Sequence, residues 1–291
     1  CLVINNTKVL PARLPGKRQT GAVIEALLVE EKSEGHWTAI VRKAGRIKTG
    51  ELLEFCGGRL RAVAQERLEE GEWLLSFEEA ELLKERLEEF GLPPLPPYIE
   101  RRQASDLQNA EDRERYQTCF ASEPGAIAAP TAGLHFTPEI LSAISKRGID
   151  ILEVTLHVGL GTFSSIEVED IRQHKMHTEF FSVTTQTLEK LKKYRLNQKK
   201  IICLGTTSVR VLETLAQQNF KVSSGWTDIF IHAPYEFRMM AGLLTNFHLP
   251  KSTLMILVSA FCGRDFLLSA YRQAIDHNYR FFSYGDCMLI L

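Results

Sequence analysis

The 291-residue chain has almost no net charge, with 35 Lys and Arg against 36 Asp and Glu leaving −1 at pH 7. That excludes a generally basic, histone-like binder but leaves room for a local basic face on a neutral body. It also lacks any Cys-x-x-Cys pair. Cys1, Cys56, Cys119, Cys203, Cys262 and Cys287 are scattered, so neither a zinc ribbon nor an iron–sulfur cluster is expected; a metal is not expected, and a reducing, cytoplasmic compartment fits. No uninterrupted apolar run approaches the ~20 residues of a membrane helix. The longest, 254–262, is broken by Ser259, so no membrane partner is expected. A signal peptide is missing too. The chain opens on Cys1-Leu2-Val3-Ile4, an apolar strand with no lead-in or initiator Met, and a segment ahead of it is expected. Repeats and low-complexity tracts are absent. The remaining composition, 44% hydrophobic and 24% charged, is that of one large globular domain or two ordinary ones.

From about Arg13 to Phe77 short strands alternate with glycine turns. Segments 23–29, 37–41, 51–55, 59–64 and 73–77 read as β, which predicts a small barrel or sandwich. Its loop bearing Arg42, Lys43, Arg46 and Lys48 is basic. Residues 78–90 have helical spacing and stop at Gly91. The proline-rich string Gly91 to Tyr98 then enforces extended geometry and reads as a stiff junction. Beyond it, helices (109–120, 138–146, 186–196, 207–218, 267–276) alternate with strands (126–129, 149–157, 200–205, 288–291). Such alternation predicts an α/β domain, a mainly parallel or mixed sheet with helices on its faces. Because 3–8 also reads as strand, the β module is expected as an insertion: 1–12 with 91–291 form the α/β domain, and 13–90 the small all-β domain.

Five of eight histidines lie in Gly-punctuated strings where apolar runs end, the usual position of α/β ligand sites. Gly205-Thr206-Thr207-Ser208-Val209-Arg210 follows a strand and opens a helix. Backbone N–H groups, three hydroxyls and the Arg210 fork would there meet a carboxylate or phosphate, although the spacing is not that of a Walker A loop. Ala129 to Phe136 repeats the design, with Gly133 permitting close approach and His135 projecting from the turn. His157-Val158-Gly159-Leu160-Gly161-Thr162-Phe163 offers a glycine-rich lip, short of a dinucleotide fingerprint. His174 and His177, at i and i+3, can share a helical face, with the Glu179 carboxylate two residues later. Lacking the His-Glu-x-x-His form, they point to hydrogen bonding or acid–base work rather than to a metal.

The strings together carry a resemblance. Asn5-Asn6-Thr7-Lys8-Val9-Leu10-Pro11-Ala12-Arg13, Pro94 to Ile99, Arg115-Tyr116-Gln117-Thr118, Thr227 to Ile231, Tyr279 to Asp286 and the five strings above resemble the S-adenosylmethionine:tRNA ribosyltransferase-isomerase family of the queuosine pathway. The likeness spans essentially every residue. It departs at Pro234, where the family usually has Gly, and near Ala241, commonly acidic. The family's N-terminal segment precedes this chain.

The resemblance implies a discontinuous α/β domain with an inserted small β-barrel. It implies transfer and isomerisation of the ribosyl part of S-adenosylmethionine, a co-substrate, onto a 7-aminomethyl-7-deazaguanine base at the tRNA wobble position. Epoxyqueuosine-tRNA, adenine and methionine are the products. The sulfonium acidifies the adjoining methylene, so a base is needed, and an acid would help adenine leave. His135, His248, His157 and His177, in that order, are the acid–base candidates. Asp228 and Asp286 would pair with the sulfonium or the ribose hydroxyls. Gly133, Gly159, Gly161, Thr206, Thr207 and Ser208 would hold the co-substrate, with Arg210 on its carboxylate. Lys8, Arg13, Arg115 and Arg280 would meet tRNA phosphates, and Tyr98, Tyr279 or Phe282 would stack on an extruded base. A monomer is expected. An RNA methyltransferase would need a Gly-rich loop after its first strand, where Asn5-Asn6-Thr7-Lys8 stands; a non-catalytic tRNA-binding protein predicts a basic chain with no work for histidines.

Overall fold

The computed structural model describes residues 1–43, 45, 47–68, 71–96, 98–99, 106–159, 161, 166 and 168–291. Arg46, Pro97, Leu160, Thr162 and Phe163, named above, lie outside the described residues. The chain forms two compact units, the first of 1–8 with 115–291 and the second of 9–114. Residues 91–114 therefore group with the β module, not with the sheet as expected. Backbone bridging between Arg13 and Leu92 and the Arg113 guanidinium on the carbonyls of Glu88, Glu89 and Gly91 hold them there.

In the second unit, β3 (Arg13–Arg18), β4 (Val23–Ser33), β5 (His36–Arg42), β6 (Leu52–Phe55), β7 (Leu60–Arg67) and β8 (Glu72–Phe77) close a barrel in the order β3-β4-β5-β8-β7-β6. All its pairings are antiparallel. Trp73, Leu75 and Phe77 alternate inward along β8, the period that keeps one face dry. Leu83 and Leu87 of α1 (Leu83–Phe90) add to that core.

The first unit is built on β1 (Leu2–Asn5), β10 (Ile151–Leu156), β11 (Glu179–Ser182), β12 (Ile202–Leu204), β13 (Ser224–Thr227), β14 (Gly242–Asn246) and β15 (Cys287–Ile290). Their order is β13-β11-β10-β1-β12-β14-β15. The four central strands β10, β1, β12 and β14 run parallel, and antiparallel strands finish both edges. Short β2 (Thr7–Val9) and β9 (Glu123–Ala126) complete the strands. β1 is buried on both faces, as central parallel strands are. Val3 packs into the larger core, and Leu2 and Ile4 into a second core with Ala132 and Leu204.

Helices α2 (Asp106–Arg115), α3 (Pro138–Lys146), α4 (Thr185–Leu196), α5 (Gly205–Gln217), α6 (Thr253–Cys262) and α7 (Arg264–Asp276) follow in order. Thr137, Thr184 and Ser252 cap α3, α4 and α6, each hydroxyl accepting an otherwise orphaned N–H. α5 packs on β1, β10, β12 and β14 and against α6, and it is buried from Gly205 to Ala216. Two local expectations shift: the strand at 126–129 is instead β9, and the helix at 109–120 ends at Arg115. The apolar run 254–262, for which the sequence assigns no element, is helical. Among the described residues no single helix is long and apolar enough to cross a membrane.

Candidate functional site

Because the four central strands are parallel, their carboxyl ends share one edge, and that edge collects the motifs. Asn5 ends β1 and Thr7 lies just beyond it, His157 follows β10, α5 opens at Gly205 after β12, and Asn246 ends β14 with His248 two residues on. At the first exit Asn5 Oδ1 accepts the Leu156 and Thr7 N–H groups at 3.0 and 3.2 Å, and its Nδ2 donates to Leu156 O. Asn6 accepts from Thr155 Oγ1 at 2.7 Å. Both amides are buried and splice the end of β1 into β10, which leaves Thr7 Oγ1 2.8 Å from His157 Nδ1. The His157 ring stacks on Phe180, and burial pushes its pKa down, against a smaller upward pull from Glu123.

At the β12 exit α5 begins at Gly205 with φ +81°, a left-handed geometry that suits glycine. Its first turn has no side-chain cap. Ser208 Oγ donates back to Leu204 O at 2.9 Å, while the buried Thr207 hydroxyl has no partner among the described residues. One turn further, Arg210 pairs through Nη1 with Glu179 Oε2. Glu179 Oε1 accepts the Gly159 N–H at 2.8 Å. Both side chains are 5% exposed, yet Arg210 Nε and Nη2 have no hydrogen-bond partner among the described residues. This pair lines a pocket with His177, Met176, Phe230 and Leu257. Gly161 lies flat on the His177 ring, where a Cβ would sit 2.2 Å from Cδ2. His174 and His177 do not share a helical face: a 3-10 turn ends at Gln173 and the following backbone is non-helical. No cluster of three potential metal ligands occurs among the described residues.

A second cluster joins the 131–135 turn to the ends of β14 and β15. Asn246 Nδ2 donates to His135 Nε2 at 3.2 Å and to Phe282 O at 3.3 Å, and Thr131 Oγ1 donates to Asn246 Oδ1 at 3.0 Å. Burial lowers the His135 pKa, with Asp286 opposing and Arg280 reinforcing the shift. Asp286 accepts the Arg280 N–H at 2.7 Å, clasping its own loop. His248 Nε2 lies 2.9 Å from Thr245 Oγ1, and burial pushes its pKa down to about 4. α5 spans the two clusters: a Cβ at Gly205 would lie 3.5 Å from Ala132 Cβ, and Arg210 is about 7.5 Å further along the helix axis.

The remaining candidate side chains take no part in these hydrogen bonds. Gly133 packs on Phe120 and Thr118. Asp228 is exposed beside the pocket-lining Ile229. Arg115 is exposed and lies over the Tyr284 ring at 5.4 Å, and Tyr279 is exposed against Phe247. Phe282 holds a left-handed φ of +72°, and Lys8 is half-buried in β2. In the barrel unit Tyr98 is exposed, and Arg13, 16% exposed, pairs with Glu25 at 4.0 Å. Residue-by-residue reading missed Glu179 as the partner of Arg210, Asn246 as a hub, and the buried carboxylate Glu213. Each stood inside or beside a noted string, but its partner lies far away in sequence.

A model of a family described as queuosine biosynthesis protein matches residues 1–290. Two curated relatives, from Clostridioides difficile and Staphylococcus epidermidis, are 46% and 47% identical over 293 residues, covering 100% of this chain and 84% of each relative. Both are named S-adenosylmethionine:tRNA ribosyltransferase-isomerase. A crystal structure of S-adenosylmethionine tRNA ribosyltransferase from Thermotoga maritima is 36% identical, with a TM-score of 0.48, covering 100% of this chain and 81% of that one.

Proposed function

This chain belongs to the queuosine biosynthesis protein family, and we propose that it is an S-adenosylmethionine:tRNA ribosyltransferase-isomerase. The observation that carries the reading is identity of 46–47% over the whole chain to relatives of that name. In it, the ribosyl part of S-adenosylmethionine moves to a 7-aminomethyl-7-deazaguanine base in the tRNA wobble position and is isomerised, releasing adenine and methionine.

The co-substrate's methionine end belongs at Arg210. A buried guanidinium with two nitrogens unpartnered among the described residues is a ready fork for an α-carboxylate, and Met176, Ile229 and Leu257 suit the aliphatic chain. Glu179 keeps that guanidinium oriented. The uncapped start of α5, with Thr206, Thr207 and the Gly159 and Gly161 lip, forms the rest of the cradle. His177 adjoins the pocket and His157 the neighbouring strand exit, which suits both to proton transfer near the sulfonium. His135 and His248 are both biased towards the neutral ring. The exposure of Arg115, Arg280 and Tyr279 supports their assignment to the tRNA. The chain acts as a cytoplasmic monomer in this reading, and its six unpaired thiols support a reducing compartment.

Incubation with S-adenosylmethionine and tRNA carrying the precursor base, followed by chromatography, tests the reading. Adenine and methionine released only with that tRNA are expected. Adenosylhomocysteine would make the protein a methyltransferase, and salt-sensitive tRNA binding without turnover would make it a binding module.

A further inference from the structure

We infer that Asn246 is a positioning residue that locks His135 in its neutral Nδ1–H tautomer, so that the ring presents a hydrogen-bond donor to the substrate and is closed as a base at Nε2. The inference rests on the proposed function for the identity of that substrate, but not for the tautomer.

The argument is one of hydrogen-bond polarity. A backbone carbonyl can only accept, so the Asn246 atom 3.3 Å from Phe282 O must be the amide nitrogen. The same nitrogen lies 3.2 Å from His135 Nε2, and a nitrogen facing an N–H donor must accept. The ring proton is therefore on Nδ1. Rotating the amide by 180° would set Oδ1 against the Phe282 carbonyl, acceptor to acceptor, whereas in the observed orientation Oδ1 accepts from Thr131 Oγ1 at 3.0 Å. The amide sits on a fixed platform, because Asn246 pairs with Cys287 in the sheet.

Adding a proton at Nε2 would set two donors against each other, and desolvation also disfavours the imidazolium. The charged groups facing the ring are Asp286 and Arg280, and they act in opposite directions. Nδ1 has no hydrogen-bond partner among the described residues, so its proton is available to an acceptor on the substrate. A neutral imidazole N–H is a known electrophile in other active sites, where it polarises an acceptor without becoming charged. The heterocyclic nitrogens of a departing purine and the ring oxygen of the ribose are acceptors of that class.

Two-bond proton–nitrogen NMR on ¹⁵N-histidine-labelled protein, with His135 assigned by the H135Q difference spectrum, reads the tautomer directly. Nδ1 protonated and Nε2 bare at pH 7 is expected; Nε2 protonated overturns the inference. Asn246→Asp replaces the donor with an acceptor and is expected to move the ring proton to Nε2 and raise its titration midpoint. With product release as readout, kcat should fall about 100-fold, its acid limb should move to higher pH, and KM for S-adenosylmethionine should stay within about twofold. An unchanged midpoint and pH profile in a folded variant would refute the positioning role. Should N246D fold poorly, Asn246→Ala takes its place, since loss of the amide donor at Nε2 removes the bias and should mix the two tautomers. Absence of adenine release in the wild type, with the Nδ1–H tautomer intact, would sink the proposed function and leave the hydrogen-bond assignment standing.

Discussion

Arg210 and Glu179 form an ion pair in which both side chains are 5% exposed and, among the described residues, the guanidinium leaves Nε and Nη2 without partners. A buried pair that is only partly satisfied is poor stabilising material, since desolvation offsets most of the Coulombic gain. Its retention makes sense if a third, anionic partner completes it. The pocket beside it and the uncapped start of α5 give such a partner a place.

Arg210→Lys should keep a cation beside Glu179 but lose the planar fork. One charge-assisted bond contributes about 1.5–3 kcal/mol, so KM for S-adenosylmethionine should rise about tenfold or more. Arg210→Met should in addition destabilise the fold by about 3–5 kcal/mol, because it strands a buried carboxylate. Steady-state kinetics and urea unfolding check both; an unaltered KM in R210K would remove the carboxylate from this site.

Acid stability should depend on His248. Its ordinary value of 6.5 falls to about 4 on burial, so between those values the unfolded chain holds a proton that the folded chain lacks. The contribution is fully present above pH 6.5 and is lost as pH drops towards 4, by at most about 3 kcal/mol. Urea midpoints measured across that window should be less pH-dependent in His248→Gln. His135 and His157, lowered in the same direction, will leave a residual slope. Equal slopes in both proteins would mean that the ring is already hydrated.

Glu213 should be a keystone of the segment leading into β14. It is fully buried and accepts from Tyr235 OH at 3.1 Å, Arg238 N at 3.0 Å and Met239 N at 3.0 Å. Glu213→Gln should cost about 2 kcal/mol by turning one acceptor into a donor that faces a donor. Tyr235→Phe should cost about 1.5 kcal/mol, since it removes one charged-acceptor bond. Chemical denaturation measures both, and a wild-type midpoint in E213Q would show that the segment is held elsewhere.

Much of the architecture follows from local sequence. Period-two burial such as that of Trp73, Leu75 and Phe77 marks the barrel strands, and Thr137-Pro138 fixes the start of α3 to the residue. Other elements carry no such mark. Residues 254–262 are nearly all apolar, so no period separates a buried helix from a strand. β14 reads Gly-Leu-Leu-Thr-Asn, without alternation, because a central parallel strand is covered on both faces. The resemblance located the strings but not their partners. His135 meets Asn246 across 111 residues, His157 meets Thr7 across 150 and Arg210 meets Glu179 across 31. The sequence alone therefore determined which residue types end each strand. Strand order, direction and register decided which of those ends touch, because they depend on pairing between distant segments that no local pattern encodes.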